Sequence, residues 1–372
     1  MHEMQTAMLT NLRTTYPKCG VVHIQDILNI QILQDFLKDG VDAVEKYEGV
    51  CQQSFLMLLE FLREQVKHET AIQKLLTTAS FQTSGNKEMQ IMAGLAHHLF
   101  SQLIPGKVYE VDKYAEQLQR ECSCGCKAKI CTGDTSVGSP GTWHGRVDVI
   151  LNNTIAVAHG NKQNTIDEAE DDDTDIQEAV YDDTDEDEPQ TKQRKVETDK
   201  SCDNCTEVKA TEKRDSVQPD IKVLKQIFAE AITNGFAQVN RDKNALSHFL
   251  IPTFGVTSDN VSICLYDPES DYLLLIREQH ELWWLDGRLD TVNLTIIWLF
   301  LNFTFFTRKK LSDVVELDKS GLHKDLKEHL KFYRKAQTKA NYVSKTSVGL
   351  PWKLIAYPNC KKHRIASVAS DS

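Results

Sequence analysis

The chain has 372 residues, 41% hydrophobic and 26% charged, the balance of a soluble globular protein with about two domains rather than a collagen-like or low-complexity scaffold. Its net charge of −11 argues against a nucleic-acid partner, but the acid is concentrated. Asp167 to Glu188 holds 14 Asp or Glu and no Lys or Arg, leaving 40 acids against 43 bases elsewhere, a mildly basic body with one acidic strap.

The first 20 residues lack a basic segment followed by an apolar run, so no secretory signal is expected. Ten cysteines in this length are not a secreted disulfide density, and the expected location is intracellular, nucleus or cytoplasm. Residues 22 to 80 read as helices. Ile24, Ile27, Ile32, Leu33 and Phe36, then Phe55, Leu58, Leu59 and Leu62, recur near the 3.6-residue period. Ser84-Gly85-Asn86 starts a helix that carries Glu88 and runs to about Phe100, and Pro105-Gly106 ends it.

KVYEV (107–111 region) reads as a strand. A loop with Cys122, Cys124, Cys126 and Cys131 follows, and WHGRVDVILNNTIAVAH reads as a hairpin turning at Asn152-Asn153. From about 160 to 200 no hydrophobic period survives, and the stretch is expected to be a disordered acidic insertion. TEVKAT (206–211) reads as a short strand, Asp220 to Val239 as an amphipathic helix, and HFLIPTFGV, VSICLYD and YLLLIRE as strands. Val292 to Thr307 is too short and too interrupted by Asn and Thr to span a bilayer, and is expected to be a buried helix, so no membrane contact is anticipated. Residues 320 to 342 read as one polar, Lys-rich helix. The organisation is thus a helical region 1–82, an α/β core 83–310 containing the insertion, and a C-terminal helix and tail 311–372.

Four pieces occur in a suggestive order: a helix with Glu88, a strand with Asp148, a short strand with Glu207-Val208-Lys209, and a helix with Gln226 and Glu230 one turn apart. Carboxylates suit hard divalent cations, which stabilise charge on a phosphate and generate hydroxide. Glu207 and Lys209, two apart on a strand, would share a face, so the amine could serve the attacking water. Each residue also has a plainer reading. Glu88 could favour a helix dipole, Asp148 and Lys209 could be solvated strand residues, and Gln226 with Glu230 could form an exposed helix face.

This order resembles the PD-(D/E)xK nuclease superfamily over about residues 85 to 280. The resemblance implies an α/β (α+β) fold with a restriction-endonuclease-like αβββαβ core. It implies Mg²⁺ or Mn²⁺ held by Asp148, Glu207 and Glu88, with Lys209 and Gln226 completing a hydrolytic site. The implied function is metal-dependent phosphodiester hydrolysis of nucleic acid, DNA favoured over RNA. The alternative is a catalytically silent nucleic-acid-binding or protein-interaction module on the same fold. A rival register would make IAVAH, which lacks an acid, the third core strand and would remove the E-x-K pair.

Cys122, Cys124, Cys126 and Cys131, with the C-x2-C of Cys202 and Cys205, could supply thiolates to Zn²⁺, or could be plain loop cysteines. The sequence gives no oligomeric state.

Overall fold

The computed structural model describes residues 6–9, 21–40, 49–79, 84–115, 118–159, 221–276, 279–309, 311 and 319–340. Glu207, Lys209, Cys202, Cys205 and the strap Asp167 to Glu188 lie outside the described residues.

The N-terminal part holds β1 (Thr6–Leu9), β2 (Val21–His23), α1 (Ile24–Ile27), α2 (Ile30–Asp39), α3 (Gly49–Arg63), α4 (Gln65–Ala79) and α5 (Ser84–Leu95). Helix α5 runs on into a π-helical turn, Ala96–Phe100, and a 3-10 turn, Ser101–Leu103. Then come β3 (Tyr109–Asp112), β4 (Thr132–Gly133), β5 (Ser136–Gly138), β6 (His144–Arg146), β7 (Val149–Leu151) and β8 (Ile155–His159). The chain resumes in α6 (Ile221–Arg241) and α7 (Lys243–Leu246), then β9 (Ile251–Val256), β10 (Asn260–Asp267), β11 (Tyr272–Ile276) and β12 (His280–Glu281). It continues through α8 (Thr291–Leu301), α9 (Phe303–Phe306), α10 (Leu322–Leu326), α11 (Leu330–Tyr333) and β13 (Gln337–Thr338).

One mixed sheet organises the chain, in the order β2-β1-β11-β10-β9-β8-β7-β3-β4, with β12 also on β10. β3, β7 and β8 are successive antiparallel neighbours, whereas β9, reached through α6, lies parallel to β8. β10 then returns antiparallel to β9. Because β1 pairs with β11, the region 1–82 contributes to the same sheet as the region 83–310. A second, three-stranded sheet has the order β13-β5-β6.

The central strands read as near-continuous apolar runs because helices cover both faces, so both alternating sets of side chains are buried. Ile155 and Val157 of β8, with Ile263 and Leu265 of β10, join one core together with Phe61, Leu75, Leu99 and Trp298. Ala156, Cys264 and Tyr266 point into a second core with Ile227, Ala231 and Phe236 of α6. Gly255 permits that close approach, since any Cβ there would run into the Ile227 side chain. The β7–β8 turn uses Asn152 and Asn153 at φ of 48° and 57°, a left-handed conformation Asn tolerates.

β8 lies between β7 and β9, so both of its edges are paired. IAVAH is thus the third strand of the β3–β7–β8 meander, while Glu207 and Lys209 lie outside the described residues. Residues 320–342 are not one helix. Lys327 at φ 42° breaks the run into α10, a 3-10 turn and α11, and the chain ends this segment as β13, paired with β5. The apolar segment after Val292 is helical and largely buried, as expected, and Asn302 ends α8 by donating to the Trp298 and Leu103 carbonyls. No helix among the described residues is long and apolar enough to cross a membrane.

Candidate metal centre and acidic site

Two groups of chemistry-bearing side chains form where α5 and its continuation meet the β3–β7–β8 edge of the sheet. The first is acidic. Asp148 sits just ahead of β7, half-buried, and its carbonyl accepts from Asp112 N at the end of β3. Its Oδ2 accepts from the His159 backbone N–H at 2.6 Å, tying the start of β7 to the end of β8. His159 Nδ1 lies 3.6 Å from Glu88 Oε2, which brings in helix α5. From α6, Glu230 Oε1 accepts from Gln226 Nε2 at 2.9 Å, the helical i, i+4 relation the sequence implied. Glu230 is buried, and its Oε2 has no hydrogen-bond partner among the described residues.

The electrostatics join these groups. Burial raises the Asp148 carboxyl above the usual range, the His159 N–H opposes that, and the charges of Asp112 and Glu88 add to it. Burial pushes the Glu230 carboxyl up to about 8, against its bond from Gln226, and Asp148 is the charge that raises it further. Carboxyl groups from three elements thus act on one another around the ends of β7 and β8. The donor type suits a hard cation such as Mg²⁺. Even so, no three of these acids are drawn within one ion's reach: among the described residues, a single group of three or more His, Cys, Asp or Glu side chains is so gathered, and it is the second site.

That group is His98, Cys122, Cys124 and Cys126, whose ligand atoms all lie within 4.8 Å of one another. It could hold a metal ion. The cysteines come from a tight knuckle in which Cys122 N donates to Ala128 O and Gly125 N donates to Cys122 O. Gly125 (φ 84°) and Lys127 (φ 59°) take left-handed backbone there, and glycine accepts this without a Cβ penalty. His98 comes from the π-helical turn. The extra residue in that turn changes the helix phase, leaving Leu99 and Phe100 in the core while His98 meets the knuckle. The freed His97 carbonyl is satisfied by Ser101 Oγ and Gln102 Nε2.

His98 Nε2 lies 3.2 Å from Cys124 Sγ, 3.4 Å from Cys122 Sγ and 3.5 Å from Cys126 Sγ. Burial, helped by His97 and His68, lowers the His98 imidazole to about 4, so it is neutral near pH 7, the ligating form. Burial raises the Cys122 thiol to about 12 and raises Cys124, so a bound cation would be needed to hold these sulfurs as thiolates.

Of the residues singled out in the sequence, Glu88, Asp148, Gln226 and Glu230 converge, and Cys122, Cys124 and Cys126 converge. Cys131 does not join its neighbours: it is exposed, and its backbone N–H donates to Tyr109 Oη. Sequence reasoning missed His98 and His159. Their only signals were a histidine pair in an apolar helix ahead of a C-x-C-x-C run, and a polar residue closing an apolar strand. Compared with family models, curated proteins and solved structures, the chain matches none.

Proposed function

We propose that the protein is a divalent-metal-dependent nuclease whose substrate is nucleic acid, DNA in the first instance. The observation that carries this reading is connectivity: helix α5, the meander β3–β7–β8, helix α6 and the parallel strand β9 bring Glu88, Asp148 and Glu230 around one pair of strand ends. With β4, β5 and β6 read as an insertion between β3 and β7, this order is compatible with the αβββαβ core the resemblance implies. With E-x-K absent from the third strand, Glu230 takes the part assigned to Glu207 and His159 that assigned to Lys209.

Asp148 and Glu230 are the residues that would hold Mg²⁺ or Mn²⁺, which when bound would stabilise phosphate charge and lower the pKa of water. The chain's own groups do the rest. Glu230, desolvated and with one oxygen unpartnered among the described residues, has free acceptor capacity. Asp148 is fixed in orientation by the His159 N–H. Glu88 faces Nδ1 of His159, favouring a proton there and leaving Nε2 to orient or accept a proton from water. The soft donors of the His98 cluster favour Zn²⁺ instead, as a separate ion.

The test is incubation of the full chain with plasmid or single-stranded DNA and Mg²⁺ or Mn²⁺, beside Asp148→Asn and Glu230→Gln. Cleavage lost in both variants supports the enzyme. A second reading, a non-cleaving nucleic-acid-binding module, is favoured by Val157-Ala158-His159 standing where acid-x-lysine is expected. Binding without cleavage in the wild type would select it.

A further inference from the structure

We infer that His98, Cys122, Cys124 and Cys126 are the complete ligand set of one structural zinc ion that pins the 118–131 loop, and with it the β3–β4 edge, onto the helix carrying Glu88. The ligand set stands on geometry alone; the consequence for Glu88 rests on the function proposed above.

With Zn–S near 2.3 Å and Zn–N near 2.0–2.1 Å, a tetrahedral centre has S···S edges of roughly 3.8 Å and S···N edges of roughly 3.6 Å. The observed Cys122–Cys124 separation is 3.4 Å and the three S···N separations are 3.2 to 3.5 Å, close to those edges. Three sulfurs and one imidazole nitrogen form a closed, soft donor set, which zinc prefers in structural sites and Mg²⁺ or Ca²⁺ do not. Three of the four ligands are buried, and no fifth His, Cys, Asp or Glu joins the group among the described residues, as a structural rather than hydrolytic site requires.

The position explains what the ion is for. Leu118, Ala128 and Ile130 pack against the core and Cys131 bonds to β3, but the knuckle itself has few ties to α5. Its own bonds are short-range, Cys122 N to Ala128 O and Ile130 N to Arg120 O, and its side-chain tie to α5 is Ser123 Oγ donating to Gln90 Oε1 at 3.0 Å. Yet it leads directly into β4, which pairs with β3, whose Asp112 meets Asp148. Fixing the loop to the π-helical turn therefore sets the spacing between Glu88's helix and the strand ends.

Elemental analysis of the purified, desalted full chain should find about one zinc per molecule. His98→Ala and Cys124→Ser should each lose most of it, and Cys131→Ser should keep it. Since the first two variants could misfold, wild-type protein exchanged into Co²⁺ gives an independent reading. Strong tetrahedral visible bands with sulfur-to-cobalt charge transfer are expected, and a weak octahedral spectrum, or zinc lost equally in Cys131→Ser, overturns the ligand set. Hydrogen exchange then tests the pinning. Chelation should deprotect 118–131 while β9–β11 stay protected, and unchanged protection in the loop overturns the structural role. None of these readouts depends on DNA cleavage, so a failed nuclease assay and a failed zinc site are distinguishable.

Discussion

The two clusters beside α5 differ in almost every physical respect. The sulfur site draws four soft donors to within bonding reach of one point, with its histidine already neutral and three ligands buried. The carboxylate site spreads hard donors over α5, β3, α6 and the residue ahead of β7, holds one buried oxygen with no partner among the described residues, and keeps the Asp148 and Glu230 carboxyls above their ordinary range. The first arrangement has the economy of a structural centre: every ligand gains from a cation, and its removal leaves the knuckle with few ties to α5. The second is uncomfortable without a cation, which is how sites for chemistry differ from the scaffold around them. In the proposed reading, Glu88 on α5 serves the reaction, and His98 on its π-helical continuation serves rigidity.

Perturbing each site should separate the two roles. The largest effect is expected at sulfur: stripping the ion with a strong chelator should lower the unfolding midpoint by an amount equivalent to several kcal/mol, restored by Zn²⁺ and not by Mg²⁺. An unmoved midpoint would erase the contrast. Next comes Glu230. Its folded carboxyl holds a proton up to about 8, whereas the unfolded one releases it near 4.5, so the folded state loses stability as pH rises between these values and no further above them. Glu230→Gln removes that loss and should exceed the wild type by a few kcal/mol at pH 8 and match it at pH 4, read from urea midpoints without Mg²⁺.

Asp148→Asn should reduce cleavage about a hundredfold or more while leaving stability equal or greater, because a neutral amide can still accept the His159 N–H. A variant that is inactive because it unfolds would place Asp148 with the scaffold. Gln226→Ala should cost about 1 kcal/mol through its bond to Glu230, without changing zinc content. The smallest effect is expected for Arg146→Ala. Its 3.0 Å pair with Asp112 is half exposed on the arginine side and should contribute less than about 1 kcal/mol to thermal stability.

Much of this was legible in the residues. The helices at 49–63 and 221–241 announced themselves by period and the one from Ser84 by its start signal, Asp148 stood out as an acid at the head of an apolar strand, and Gln226 with Glu230 shared a helix face by spacing alone. The alternation of Cys122, Cys124 and Cys126 offered thiolates for a metal beside the plainer reading of loop cysteines. What local motifs do not carry is long-range assignment: a strand's place in a sheet depends on which edges are free, and β7 and β9 take both edges of β8.

Local sequence, then, determined the elements and the chemical character of the donors, because periodicity, turn residues and side-chain type act over a few residues. The tertiary structure decided the partners. It brought His98, 24 residues ahead of Cys122, and not Cys131, to the three clustered sulfurs, because a π-helical turn set that imidazole on the knuckle. It set Glu230 against Asp148, 82 positions apart, because α6 crosses the sheet to reach β9. Contacts of that kind are fixed by how whole faces pack, and no short stretch of residues encodes them.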